Sequence, residues 1–422
     1  MIKIMRFTVS IVVFIVLVYS GGAYGGVSDA GLLDSLISQA LKDNPRIEAS
    51  LSRWKAQEYK ITQARSLPDP SARYTYFGDN VETRVGPQEH KYGGSQKIPF
   101  PLKLSAKANA QKKKAQMAKE EYEATKREII KDVKFIYCDI YWIDTAIRVT
   151  EEEKTIIERV EKVAQKKYES NLTPQQDVIK AQVELSKMLD KLFKLRQHRK
   201  SLVSKLNSVL SRSKDAKLDS LLSLEQKEFK YSLDELQAIA SDSRPELLKA
   251  RLDIEKSEYE RSLAGLDYLP DVTLGFDYID VGEGSTTSPN DGDDAWMGTV
   301  SISVPIWFDK LGAQVNEKKA SLNASQKNYE DVENRVTYEV EDLYFKITTY
   351  KDIVSLYESA LVPQAQQAFD VTRTGYETGK IDLLNWLDSE RVLLQTKLAY
   401  YKALVDYNKS IAFLERIVGK DL

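Results

Sequence analysis

Two long stretches of the chain place apolar residues in alternating steps of four and three. The first carries Ile129, Val133, Ile136, Ile140, Ile143 and Ile147; the second carries Val336, Val340, Leu343, Ile347, Tyr350, Val354, Tyr357 and Leu361. A 3.5-residue repeat held over this many turns predicts helices that pack along their whole length as a coiled coil. The first pattern resumes after a break at Val178, Ala181, Leu185, Met188, Leu192 and Leu195, then Leu202, Leu206 and Val209. The intervening positions are rich in Lys, Glu, Asp and Gln, as solvated helix faces are. A helix from Leu104 to Tyr168 would span about 100 Å at 1.5 Å per residue, far more than a globular core needs.

Elsewhere the period changes to two. Val272, Leu274, Phe276 and Tyr278 alternate with Thr273, Gly275 and Asp277. Trp296, Gly298, Val300, Ile302 and Val304 alternate with Met297, Thr299, Ser301 and Ser303 across an acidic, glycine-rich loop from Gly282 to Asp294. Ala72, Tyr74 and Tyr76 alternate with Ser71, Arg73 and Thr75, and a return strand is expected around His90 to Ile98. These read as four strands with one apolar and one mostly polar face, each about long enough to cross a bilayer when tilted. Hydropathy alone leaves a second arrangement open, a soluble sheet with its apolar face on a helix. Four strands cannot close a barrel, and open backbone edges are prohibitive in lipid. Membrane-spanning strands would therefore have to be pooled from several copies.

The chain is written twice. Asn44-Pro45-Arg46-Ile47-Glu48 resembles Ser243-Arg244-Pro245-Glu246-Leu247, and Leu67-Pro68-Asp69 recurs as Leu269-Pro270-Asp271. Ile98-Pro99-Phe100 recurs as Val304-Pro305-Ile306, and Tyr168-Glu169-Ser170-Asn171 as Tyr376-Glu377-Thr378-Gly379. Each half predicts a helix (Gly31 to Ser66; Leu233 to Tyr268), a Pro-Asp breaker, two strands, a proline and a long helical hairpin. The first repeat is expected over 26–211, with strands at about 70–100 and a hairpin tip near 169–176. A connecting segment over 212–232 leads to the second repeat, 233–422, with strands at about 271–306 and a tip near 377–385. Asn171 and Gly379 suit the left-handed residue that ends a helix. Thr173 reads as the next N-cap, with Pro174 first in the helix and Gln176 at the capping-box position; Asp382 caps the counterpart.

At the N-terminus Lys3 and Arg6 precede the apolar run Ile11 to Val18, then Ala23 and Gly25. This predicts a secretory signal peptide over 1–25, with no cysteine following for lipid attachment. No later segment is apolar enough for a transmembrane helix. Of 422 residues 29% are charged, and a formal charge of -2 argues against a nucleic-acid partner. The single cysteine, Cys138, is expected as a buried helical thiol. His90 is expected exposed near a strand; with His198 and 5 methionines it makes no metal-carrying cluster. No Ser/His/Asp set, phosphate loop or HExxH is present, so neither an enzyme nor a cofactor is implied.

The duplicated halves, the Leu-Pro-Asp motif, the strand exit Gln96-Lys97-Ile98-Pro99-Phe100-Pro101 and the tip motif Tyr376-Glu377-Thr378-Gly379 together resemble the TolC family of outer-membrane efflux proteins. The resemblance implies a mainly α fold with a membrane β-barrel: a homotrimer whose twelve pooled strands sit in outer-membrane lipid above a tunnel of antiparallel coiled-coil helices in the periplasm. It implies the exit channel of a tripartite efflux or type I secretion system, served by a periplasmic adaptor and an inner-membrane pump of the RND or ABC type. The alternative is an exported periplasmic coiled-coil scaffold without channel activity. In this family the tunnel tip closes like an iris. The family's tip tyrosine, hydrogen-bonded there, falls on Tyr376, and its first-half tip aspartate on Asp177. Its two ring aspartates fall on Asn385 and Asp388, so one carboxylate is replaced. Its arginine falls on Ile381, leaving Lys380 as the nearest cation.

Overall fold

The computed structural model describes residues 29–221, 223–284, 287 and 289–422. The expected signal peptide lies outside these residues. The first half runs helix, helix, strand, strand, long helix, helix, and the second keeps this order with its long helix split in two. The first comprises α1 (Asp29–Asp43), α2 (Pro45–Arg65), β1 (Ser71–Thr83), β2 (Gly86–Ile98), α3 (Pro101–Glu169) and α4 (Gln175–Val209). The second comprises α5 (Leu233–Ser243), α6 (Pro245–Leu266), β3 (Val272–Val281), β4 (Ala295–Ile302), α7 (Phe308–Leu356), α8 (Val362–Glu377) and α9 (Leu383–Val418). No described helix is long and apolar enough to cross a membrane.

The single opening helix expected in each half is two helices. Pro45 and Pro245 exclude the residue before them from helical backbone. Asn44 accordingly sits at ψ 121° and caps α2, accepting from Arg46 N at 2.9 Å. Arg244 sits at ψ 118°, its buried guanidinium paired with Glu339 at 2.7 Å. The return strand is also longer than expected, starting at Gly86 rather than near His90.

In α3, which has 69 residues, the heptad positions Ile129, Ile136, Ile143, Thr150, Ile157 and Ala164 are all buried, while Ile147 is half-buried. This helix is the axis of the chain and packs against α1, α2, α4, α6 and α9. The second half departs from the expected single helix. A π-turn, Tyr357–Leu361, separates α7 from α8. The buried positions beyond it, Ala365, Phe369 and Tyr376, each fall one residue later than a heptad continued from Val354, which would bury Gln364, Ala368 and Gly375. The wide turn absorbs that extra residue, and Tyr357 and Leu361 leave the core stripe. It also places Pro363 at the start of α8, where its missing N–H costs less than the ~3 kcal/mol of a helix interior. Cys138 is buried as expected, and burial pushes its thiol up to about 12.

The four strands form one antiparallel sheet in the order β1-β2-β3-β4. The middle pair joins the halves, with Ile98 opposite Val272 and Tyr92 opposite Tyr278. Its lower end is tied by Asp271, which accepts from Phe100 N at 3.1 Å and meets Lys103 at 2.8 Å and Lys97 at 3.0 Å. Burial opposes ionisation of Asp271, but the hydrogen bonds from the two lysines and Phe100 prevail and hold its carboxyl down at about 2. The apolar face does not rest on a helix: Trp296 is 72% exposed, Val300 69% and Tyr76 64%. On the opposite face Lys91 pairs with the buried Asp277 at 3.4 Å. The outer edges of β1 and β4 have no strand partner among the described residues.

Deleting Ser359 together with Pro363→Ala should turn the π-turn into plain α-helix and keep Ala365, Phe369 and Tyr376 buried. Thermal unfolding of the purified protein should then shift by less than about 1 °C, equivalent to about 1 kcal/mol or less for a chain of this size. Deleting Thr349, inside the regular repeat, should lower the midpoint by several times that amount.

Candidate functional site

The two helical hairpins end side by side. Both turns are the same motif, imposed by one left-handed residue each. Asn171 (φ 54°) closes α3, with Leu172 N donating to Lys167 O at 2.8 Å and Asn171 N to Tyr168 O at 2.9 Å. Gly379 (φ 77°) closes α8, with Lys380 N donating to Gly375 O at 2.8 Å and Gly379 N to Tyr376 O at 3.1 Å. The exits differ. Asp382 caps α9 as expected, accepting from Asn385 N at 2.9 Å. Thr173 does not cap α4. Pro174 is extended (ψ 153°) and occupies the cap position, so the helix begins one residue later, and the Thr173 hydroxyl bonds the Asp177 carboxylate instead. The capping box through Gln176 is therefore not formed.

Tyr376 is the buried centre of this tip, 3% exposed, with its ring 5.2 Å from that of Trp386. Lys167, at the end of α3, lies 4.2 Å over the same ring and donates to the Tyr376 carbonyl. This lysine joins the end of the first-half hairpin to the end of the second. The hydrogen bond expected of the tyrosine is not made within the described chain: its buried hydroxyl has no partner, and neither has Trp386 Nε1. Burial, and secondarily the negative charge of Asp177, pushes the Tyr376 hydroxyl up to about 12. Lys380 is exposed beside the turn.

Asn385 and Asp388 lie one helical turn apart on α9, away from Tyr376. The Asn385 amide donates to Asp382 at 2.9 Å. The Asp388 side chain is 71% exposed and stands 3.6 Å from Arg391, which also reaches Glu184 at 3.7 Å. Asn385, Asp388 and Arg391 line an open groove of about 750 Å³ with Lys180 and Glu184 of α4. The expected tip residues thus form two groups: a buried Tyr376 cluster and an exposed charged groove.

A third group was not anticipated. Two α9 turns from the tip, Glu390 is 3% exposed and faces Glu153 of α3, which is fully buried. Lys397 approaches Glu153 at 3.7 Å. Burial first, and then the charge of Glu153, pushes Glu390 up to about 8; burial likewise raises Glu153. Burial lowers the ammonium of Lys191, against the pull of both glutamates. The two carboxyls cannot both ionise in such surroundings, so at least one holds its proton near neutral pH. The available signal was Glu153 itself, a carboxylate on the same heptad position as the buried Ala146 and Val160. Lys167 carried no such signal, because only the approach of the two hairpin ends brings it to Tyr376.

Comparison with known proteins adds a family. The sequence profile described as outer membrane efflux protein matches residues 36–212 and 237–420. The cobalt-zinc-cadmium resistance protein CzcC of Cupriavidus metallidurans is 22% identical over 407 residues, covering 92% of this chain and 90% of that one. Among solved structures, the outer membrane protein VceC of Vibrio cholerae superposes with a TM-score of 0.78 at 17% identity, covering 92% of this chain and 96% of its own. The Campylobacter jejuni CmeC outer membrane channel gives 0.77 at 14% identity, covering 98% and 94%.

A raised carboxyl pKa makes stability fall with pH wherever the folded chain holds a proton that the unfolded chain has lost. The Glu390 contribution should therefore be complete below pH 4.5 and fade as pH rises toward about 8. Glu390→Gln should flatten that decline in a pH series of thermal melts. Tyr376→Phe should leave the melting point unchanged or higher, since it removes an unpaired buried hydroxyl. Lys167→Met should lower it by an amount equivalent to about 1–2 kcal/mol.

Proposed function

The chain belongs to the outer membrane efflux protein family, as its TolC-like pattern suggested, and from that premise we propose that three copies close one twelve-stranded barrel continued by a helical tunnel. The protein is an outer-membrane exit channel with a long periplasmic part. The observation that carries the trimer is the sheet: an exposed apolar face bounded by two unpaired edges. In hydrocarbon those edges must be paired, and no strand among the described residues is left to pair them. The helices support the same assembly. Tyr338 and Phe345, one heptad apart on α7, are 67% and 54% exposed, and Phe193 of α4 is 66% exposed. Apolar side chains at heptad spacing are suited to burial against neighbouring copies.

The duplication supplies a template for the joint between copies. Aligning Pro99 with Pro305 and Asp271 with Asp69 carries the observed Lys97–Thr273 pair onto Ser303 of one copy and Ser71 of the next. It also sets Asp69 to accept the Ile306 N–H of the neighbour, as Asp271 accepts Phe100 N–H within the chain.

At the tunnel tip, Tyr376, Asp177 and Lys380 with the turns at Asn171 and Gly379 form the moving part of an iris, and Asn385 and Asp388 line its throat. Lys167 latches the two hairpins of each copy. A periplasmic adaptor engages the outer face of the tip, and an inner-membrane pump of the RND or ABC class drives cargo through. The chain itself acts as a passive duct and catalyses no reaction. Each Asp388 shares its field with Arg391, so the throat is a ring of alternating charge rather than a purely negative one.

Ser71→Cys combined with Ser303→Cys should give covalent trimers on a non-reducing gel of the oxidised protein, and each single variant should not; monomers from the double variant would contradict the barrel register. In planar bilayers the purified protein should conduct, and Asp388→Asn should raise anion permeability by leaving Arg391 balanced by Glu184 alone. Unchanged selectivity would place the throat elsewhere.

A further inference from the structure

The β2–β3 joint carries a cluster of metal-ligating groups well apart from the helical tip. Glu89, His90 and Asp280 each bring one ligating atom to within 4.8 Å of the others. His90 and Asp280 are directly opposed across the two strands. Glu89 would ordinarily point to the other face. The register slips by one residue between Gln88 and His90, and this bulge swings Glu89 round to join them. Its carboxylate lies against the backbone of Gly282, where any added Cβ would collide with it. The His90 ring is also held: Tyr74 Oη lies 3.0 Å from Nδ1, and the ring stacks on Tyr74 with centroids 5.9 Å apart. A partner that fixes one imidazole nitrogen and leaves the other free is the usual support of a metal-ligating histidine.

We propose that Glu89, His90 and Asp280 bind one divalent transition-metal ion per chain, with zinc as the fitting representative. One imidazole nitrogen and two carboxylate oxygens make a donor set that zinc accepts, with a fourth position open to water or an anionic oxygen. Bonds of about 2.0–2.2 Å place tetrahedral donors about 3.3–3.6 Å apart, so the side chains close by roughly 1 Å around the ion. The site lies inside the sheet, away from the β1 and β4 edges, so it is complete in each chain. Glu89 and His90 come from the first half and Asp280 from the second. The ion therefore clasps the two halves at the loop end of the sheet, as Asp271 does at the helix end. It serves as a structural clasp, independent of the channel's cargo and of the tip.

The test is calorimetric titration of the detergent-purified, chelator-treated full-length protein with zinc chloride. One ion per chain is expected. His90→Ala should abolish binding, Tyr74→Phe should weaken it about 10–100-fold by releasing the ring, and excess calcium should not compete. Zinc-edge X-ray absorption on the wild-type protein should show one nitrogen and two protein oxygen ligands, a readout that needs no variant to fold. The proposal is overturned if the wild-type protein takes up no stoichiometric zinc, if His90→Ala binds as the wild type does, or if the absorption spectrum lacks imidazole.

Discussion

A backbone amide or carbonyl in hydrocarbon must find its partner within the protein. Four strands per chain leave two edges open, and every larger feature answers to that fact. The exposed aromatic and β-branched face can be tolerated only in lipid, and lipid can be tolerated only by a closed ring. The helices below need not meet the same demand, because α3, α4, α7, α8 and α9 satisfy their own backbones and stand in water. They remain tied to the ring through the short crossings at Asp271 and Phe100, so closure above sets how the hairpins are arrayed below.

Duplication makes such closure economical. One joint, β2 to β3, is built within the chain, and in the proposed trimer its repeat, β4 to β1, joins neighbouring copies. The halves are not identical, and the differences lie where function is expected. The second-half long helix takes a π-turn that the first lacks, and the second tip turn uses glycine where the first uses asparagine. The Tyr376 cluster and the Glu153–Glu390 pair both fall on the tip side of that π-turn. A buried carboxyl pair that holds a proton near neutral pH makes this stretch of the coiled coil less stable as pH rises, close to the helices proposed to part for passage.

Much of this was legible in the residues. The heptad of α3 ran as read through Ile129, Val133, Ile136, Ile140 and Ile143, because a 3.5 repeat admits few other packings. Asn171 and Gly379 were recognisable because left-handed backbone is costly for most residues. The π-turn was hidden, since an apolar stripe shifted by one residue still looks continuous from Val354 through Tyr357 to Leu361. The breaks at Asn44 and Arg244 were visible as X-Pro steps, yet the flanking helical pattern masked them. At the tip, individual residues were identifiable and their partners were not. Lys167 meets Tyr376, and Glu89 and His90 meet Asp280, only after distant segments cross. Thr173 shows the limit of local rules, because the backbone of Pro174 displaced a cap that spacing favoured.

The account rests on edge strands that are paired in the assembled protein. Hydrogen exchange on the detergent-purified channel reads this directly at the outward-pointing amides of β1, around Arg73 to Tyr76, and of β4, around Met297 to Ser301. The account predicts protection equal to that of the β2–β3 joint. Rapid exchange at those amides, with β2 and β3 protected, would contradict it.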